Sequence, residues 1–295
     1  MKIYAIFGLI TVISLFFACQ QPSKTKTPLP QIGQSIQDSL DAAKLKTIES
    51  TNHGLIMDVA FGKPKRTIKK IGILVYDGVN ELDFMGPFYV LGEIMGAETQ
   101  LVATKNKVFK TGRGVEITAH TVIDSVQHLD ILVIPGGFKG TLLAAYDNQL
   151  HDWIRKIDQT TTYTASVCTG AWILGATGLL KGKKAATNWY EAEKMLTKYG
   201  ATFVEKRFVN DGKYWTSAGV TAGMDMSLAM VNDIWGERYT QAVMLDMEYA
   251  PSPPIAGGTP HNTGLAPYQM MKMMYDAGVQ PLIDSLEQTA LKNDE

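Results

Sequence analysis

The feature that most constrains this chain is a rhythm. Short uncharged runs rich in β-branched residues alternate with stretches of helical spacing. The runs at 71–76 (IGILVY), 100–104, 130–135 (DILVIP) and 161–167 predict buried strands. Between and after them the spacing predicts helices over 87–96, 148–157, 169–180, 189–199, 222–234 and 238–246, with further strands near 201–204 and 214–216. Strands separated by helices imply βαβ units and a mostly parallel sheet, hence an α/β fold. In such sheets functional groups gather where strands end at their carboxyl side. The loops after Tyr76, Pro135 and Val167 are therefore the places to look for chemistry. The length of 295 residues suits one domain with appendages, and 45% apolar residues suffice for its core. Lys and Arg number 28 against 29 Asp and Glu, which leaves no basic field for nucleic acid.

Two cysteines, Cys19 and Cys168, exclude a disulfide scaffold and a multi-cysteine metal cluster. Met1 and Lys2 precede an uncharged run over 3–18, and Cys19 follows directly. Sixteen residues are short for a membrane span. The pattern resembles a bacterial lipoprotein signal, with Phe16 where Leu is usual and Leu15 one place earlier. An ordinary signal peptide or short anchor is the alternative. The lipoprotein reading makes 1–18 a signal and Cys19 the lipidated first residue. It places the protein at the cell envelope, periplasm-facing or at the outer membrane. Cys168 is then a lone thiol in an oxidising compartment. Residues 19–67 are polar and Pro-containing and read as a tether, with a short amphipathic helix over 35–49. The domain is expected over 68–260, with a tail over 261–295.

Cys168 sits where a strand runs into a turn and a helix runs out, in ASVCTGA. That is a nucleophile-elbow arrangement with cysteine in place of serine. The helix that follows should aim N–H groups at the sulfur and lower its pKa. A buried structural cysteine is the alternative. Gly136-Gly137 follows the 130–135 strand. The backbone N–H of Gly137 with that of Thr169 is expected to form an oxyanion-type hole, though such a pair is often only a turn. Asp77, Glu81 and Asp83 follow the first strand. Asp77 is expected to cap the turn, and Glu81 or Asp83 to serve as acid or base, unless all three are solvated loop charges. His53, His120, His128, His151 and His261 lack metal-ligand spacing and read as surface or capping residues, so no metal is expected. No GxGxxG segment marks a dinucleotide site. MMKMM at 270–274 reads as one face of a terminal helix. Trp172, Trp189 and Trp215 are candidates for a pocket wall or for the core.

Five stretches together are similar to the ThiJ/PfpI superfamily, within the class I glutamine amidotransferase-like group, and closer to its isonitrile hydratase branch. They are DGVNELDFMGPFYVL, ILVIPGG, SVCTGAWILGATGLLKGKKAATNW, WTSAGVTAGMDMSLAM and LDMEYAPSPPIAGGTP, spread over 69–260. The resemblance implies a flavodoxin-like three-layer α/β sandwich, a homodimer, a small-molecule substrate and no cofactor. The protease-like branch has His after the nucleophile, where this chain has Thr169; the amidotransferase His-x-Glu pair has no counterpart. By resemblance Cys168 is the nucleophile and Asp83 the proton-transfer group, with Glu81 left open. The branch usually carries His where this chain has Asn188, which hydrogen-bonds without titrating. The implied reaction is hydration of an isonitrile to an N-substituted formamide. Two other readings remain: a non-catalytic ligand-binding protein, and a thiol-based stress protein with glyoxalase-like or redox chemistry. The same module occurs fused to DNA-binding helices in regulators, but 261–295 is expected to be too short for that.

Overall fold

The computed structural model describes residues 36–293, and side chains from 37 to 288. The expected signal, Cys19 and the start of the tether lie outside the described residues. Helix α1 (Ile36–Leu45) answers the amphipathic helix expected over 35–49 and falls in a different unit from the described residues that follow Glu49. Residues 50–295 form the other unit.

The strands are β1 (Lys70–Val75), β2 (Glu98–Ala103), β3 (Val108–Lys110), β4 (Glu116–Thr118), β5 (Thr121–Val122), β6 (Ile131–Ile134), β7 (Tyr163–Val167), β8 (Lys184–Ala185), β9 (Thr202–Phe203), β10 (Phe208–Asp211) and β11 (Tyr214–Ser217). The further helices are α2 (His53–Phe61), α3 (Glu81–Gly92), α4 (Lys139–Ala144), α5 (Asn148–Asp158), α6 (Gly170–Ala176), α7 (Ala192–Lys198), α8 (Ala222–Trp235), α9 (Glu237–Asp246), α10 (Leu265–Gly278) and α11 (Gln280–Asn293). Seven strands form one sheet in the order β10-β11-β7-β6-β1-β2-β5. Every pairing in it is parallel except β10 with β11. The strands β6 and β7 are buried along their whole length, and β1 from its second residue, because helices cover both faces. On one side α3 and α8 pack together and on the strands; on the other, α6 rests on β6 and β7 and contacts α4, α5 and α7. The expected three-layer α/β sandwich is therefore present. In sequence order its five central parallel strands run 2-1-3-4-5, the flavodoxin-like order, with the topological switch between β1 and β6.

Three expectations need correction. The helix expected to open at Pro87 begins at Glu81 and carries Pro87 inside it. Asn80 explains the earlier start, since its side chain accepts from the N–H groups of Leu82 at 3.1 Å and Asp83 at 3.4 Å. The stretch 19–67 is not all tether. Within it α2 packs on α9, with the Phe61 and Tyr239 rings 5.1 Å apart edge to face and Arg238 Nη1 donating to the Ala60 carbonyl at 3.5 Å. Nor is 261–295 a mere tail. Its helices α10 and α11 bury Val279 and Ile283 among Leu142, Trp172, Tyr190 and Met195. Their apolar side chains form a second small core, which pulls the segment onto the domain.

Candidate active site

Three strand ends converge around Cys168. The residue closes the turn from β7 into α6 with φ of 59°, the left-handed region that non-glycine residues avoid. Holding it there costs about 1–3 kcal/mol, which the surroundings must offset. They do so from three sides. The Cys168 N–H is shared by the carbonyls of Ser217, the last residue of β11, at 3.1 Å and Ala218 at 3.2 Å. The Cys168 carbonyl accepts from Thr187 Oγ1 at 2.9 Å. Gly170 lets α6 close onto β6, where a Cβ would stand 2.0 Å from the Ile134 carbonyl oxygen. The sulfur accepts from Asn188 Nδ2 at 3.4 Å. Asn188 Oδ1 in turn accepts from the Tyr190 N–H at 3.0 Å, which fixes which end of the amide meets the sulfur.

Asp83 arrives from the other side of the switch point. It lies in the first turn of α3 and has no exposed surface. The Asn80 N–H donates to the Gly136 carbonyl at 2.8 Å, so the start of α3 is tied to the loop after β6. No hydrogen bond of ordinary length and angle reaches either carboxyl oxygen. Burial therefore pushes the Asp83 carboxyl up to about 7, while the nearby Cys168 thiol and Gly136 N–H partly favour its charge. The Cys168 thiol is also pushed up, by burial first and by the Asp83 charge second. The Thr169 N–H and the Asn188 amide pull the other way without prevailing. The lowered thiol pKa expected from the elbow is thus not what this site provides. Only 8% of Cys168 is exposed, a carboxyl stands beside it, and α6 has just seven residues. The two groups titrate as a coupled pair.

The expected hole of Gly137 and Thr169 is also corrected. The Gly137 N–H donates to Thr169 Oγ1 at 3.1 Å, and that hydroxyl donates back to the Gly137 carbonyl at 2.7 Å. Gly137 is thereby spent on holding the two loops together. The Thr169 N–H and the Asn188 amide are the donors that meet the sulfur. Gly136 has a different use: a Cβ there would stand 2.6 Å from Thr169 Oγ1 and 2.9 Å from Asp83 Oδ2.

Of the three carboxylates only Asp83 reaches Cys168. Glu81 accepts from Thr111 Oγ1 at 2.5 Å and the Arg113 N–H at 3.0 Å. Burial pushes Glu81 up, but those bonds and the Arg113 charge hold it below the usual carboxylate range. Asp77 accepts from the Lys110 N–H at 2.8 Å, so it braces the β3 end rather than its own turn. Among the described residues no group of three His, Cys, Asp or Glu could hold a metal. His151 is buried, not at the surface as its isolation in the sequence suggested. No described helix is long and apolar enough to cross a membrane.

A pocket of about 60 Å³ opens over the sulfur. Its walls include Phe138, Thr169, Trp172, Asn188 and Tyr275. Trp172 is buried and its indole N–H has no partner in the protein. Trp189 lines an adjoining groove, whereas Trp215 sits in the core beside Tyr163 and Phe208. Sequence reasoning missed Asn80, Phe138, Tyr275 and Val279. Asn80 had a legible signal, an Asn just ahead of two acidic residues in a first turn. Tyr275 had none, because nothing local ties α10 to Cys168.

A cysteine held on a left-handed strand-to-helix turn, at the switch point of this sheet order, defines a class of flavodoxin-like proteins with a thiol centre. The chain belongs to the DJ-1/PfpI family, whose family model matches residues 69–233. It is 36% identical over 191 residues to isonitrile hydratase from Pseudomonas putida, covering 65% of this chain and 83% of that protein. Among solved structures, a ThiJ/PfpI family protein from Pseudomonas syringae superposes with a TM-score of 0.70 at 33% identity, over 75% of this chain and 90% of that one. DJ-1beta from Drosophila melanogaster shares the fold, with a TM-score of 0.58 at 22% identity over 63% of this chain and all of that one.

Proposed function

We propose that this protein hydrates a small electrophilic carbon, and that its substrate is an isonitrile. The observation that carries the reading is the buried Cys168–Asp83 pair, with the Asp83 carboxyl pushed up to about 7 and Cys168 facing a pocket sized for a small group. The pair passes through a state with the proton on Asp83 and the charge on sulfur. The thiolate adds to the terminal carbon of the isonitrile, forming a C–S bond, and Asp83 delivers its proton to that carbon. The product of this step is a thioformimidate on Cys168. Asp83, again a carboxylate, takes a proton from water as the oxygen adds to the same carbon, and returns it to nitrogen. Collapse of the adduct breaks the C–S bond and releases the formamide, while the hydroxyl proton returns to the pair. Covalent catalysis thus divides one hard addition into two easier ones. The similarity to the P. putida isonitrile hydratase supports the choice of substrate.

The test is formamide production from an alkyl isonitrile, followed by proton NMR. Cys168→Ala is expected to abolish it, and Asp83→Asn to lower kcat by about 10²-fold or more. Undiminished turnover in Cys168→Ala overturns the reading.

Two further parts of the reading rest on the sequence and on surface chemistry. Cys19 is the lipidated residue of an envelope-anchored protein; labelled palmitate should enter the full chain and fail to enter Cys19→Ala. The protein works as a homodimer, a reading supported by an exposed apolar stripe on α3: Leu82, Met85 and Tyr89 at helical spacing.

A further inference from the structure

The pocket over Cys168 adjoins a far larger groove. The pocket measures about 60 Å³ and the groove about 1300 Å³, and Asn188, Val220 and Tyr275 line both. A cavity of the smaller size takes a few heavy atoms and no more. A substrate consisting of the reacting group alone would leave the groove without a use. The groove presents the rings of Trp189 and Phe203. Its acidic side chains, Glu191, Glu193 and Glu205, are matched in number by Lys194, Lys206 and Arg207. Glu205 faces His261 at 2.9 Å and Arg207 pairs with Asp225. Such a lining has no net field with which to hold a charged body.

Tyr275 stands at the threshold between the two spaces. Its ring lies 4.7 Å from that of Phe138, 4.9 Å from Tyr190 and 5.1 Å from Trp189. Tyr190 donates to Asp276 at 2.8 Å, and Lys272 pairs with Asp276 at 2.9 Å and Glu191 at 3.5 Å. These contacts fix α10 against the α7 side of the site. Residue 275 lies beyond the residues matched by the family model, so the family's shared chemistry does not dictate this wall.

We propose that the groove binds a bulky, uncharged, aromatic-bearing substituent of the substrate, with Tyr275 as the specificity-determining residue at its mouth. The proposal rests on Cys168 being the nucleophile. The substrate class is then an electrophile whose reacting carbon is carried on a large aryl body.

Alkylation of Cys168 tests this without assuming any natural substrate. The full chain is treated with iodoacetamide or with an N-naphthyl iodoacetamide, and peptide mass resolves Cys168 from Cys19. In either reaction sulfur displaces iodide from carbon. The naphthyl reagent is expected to saturate, and Thr221→Trp, at a residue that lines the groove and not the pocket, to slow it about tenfold while iodoacetamide changes less than about twofold. Tyr275→Ala, a less intrusive change, should shift the ratio of the two rates toward the larger reagent. Equal slowing of both reagents, or a naphthyl reaction that never saturates, overturns the proposal. Protection of Cys168 from the naphthyl reagent as the protein associates also overturns it, because a second copy then fills the groove. Benzyl and methyl isonitrile complete the set. Failure of both to turn over, with the alkylation pattern intact, removes the isonitrile reading and leaves the groove assignment standing.

Discussion

Cys168 and Asp83 share one buried environment that resists the charge of either. Burial raises both; the Asp83 charge raises the thiol further, whereas the protonated thiol favours the Asp83 charge. Below about pH 7 the pair carries two protons and no thiolate; above it one proton remains. kcat/KM is therefore expected to rise through about pH 7 and to hold at higher pH. A rate profile that stays flat from about pH 5 to 8 would remove Asp83 from the proton transfer. These two residues were legible in the sequence because a strand-turn-helix pattern and a capping region expose them locally. Their pKa values were not legible. The elbow alone suggested an acidic thiol, and only the packing of a carboxyl beside it reverses the sign. Gly137 was misjudged for a similar reason, since its N–H partner, the Thr169 hydroxyl, comes from another strand end.

At the scale of elements, α3 delivers the acid and α10 supplies the wall. Asn80 sets where α3 begins, and so where Asp83 points. Asn80→Ala is expected to cost about 1 kcal/mol in a denaturation curve. It should lower kcat more than KM, because Asp83 loses the turn that positions it. Loss of stability with unchanged kcat would reduce Asn80 to a helix cap. The outer stripe of α3 carries a second expectation. Met85→Glu should convert a dimer to a monomer in light scattering, and an unchanged mass would place the interface elsewhere. The long strands were readable because buried parallel strands are nearly continuous apolar runs. The strands β3, β4 and β8 were not, being two or three residues long and largely exposed, whereas the equally short β9 was expected near 201–204. The α10 and α11 helices escaped notice as part of the domain because α10 has no buried residue of its own; Met270, Met273 and Met274 remain exposed, and the anchoring comes from Val279 and Ile283.

For the molecule as a whole, the pair proposed to carry the reaction works against the fold. The Asp83 carboxyl has a folded value above its ordinary one, so protonation stabilises the native state. That contribution is complete at low pH, below the ordinary carboxyl range, and is lost as pH rises through about 7. The shift corresponds to on the order of a few kcal/mol. Stability is expected to fall over the interval in which activity appears. Asp83→Asn should raise Tm more at about pH 8 than at about pH 4, while turnover is lost. Equal shifts at the two pH values would show that the buried charge is not what the fold resists. The sheet order and the three loops that end on the site were implied by the alternation of strand and helix. The participation of α2 was not, since its contacts with α9 join residues far apart in sequence.

The glycines at the heart of the site have a consequence for how such a protein can change. Any side chain at Gly136 would strike Thr169 and Asp83, one at Gly137 would stand 2.3 Å from the Gly78 carbonyl oxygen, and one at Gly170 would strike the β6 backbone. The inner face of the site is closed to mutational exploration. New substrates must be found by varying the outer wall, where α10 can alter the ring of Tyr275 without disturbing the residues beneath. The sterically fixed chemistry and the adaptable recognition would then occupy different stretches of one chain, free to drift at different rates.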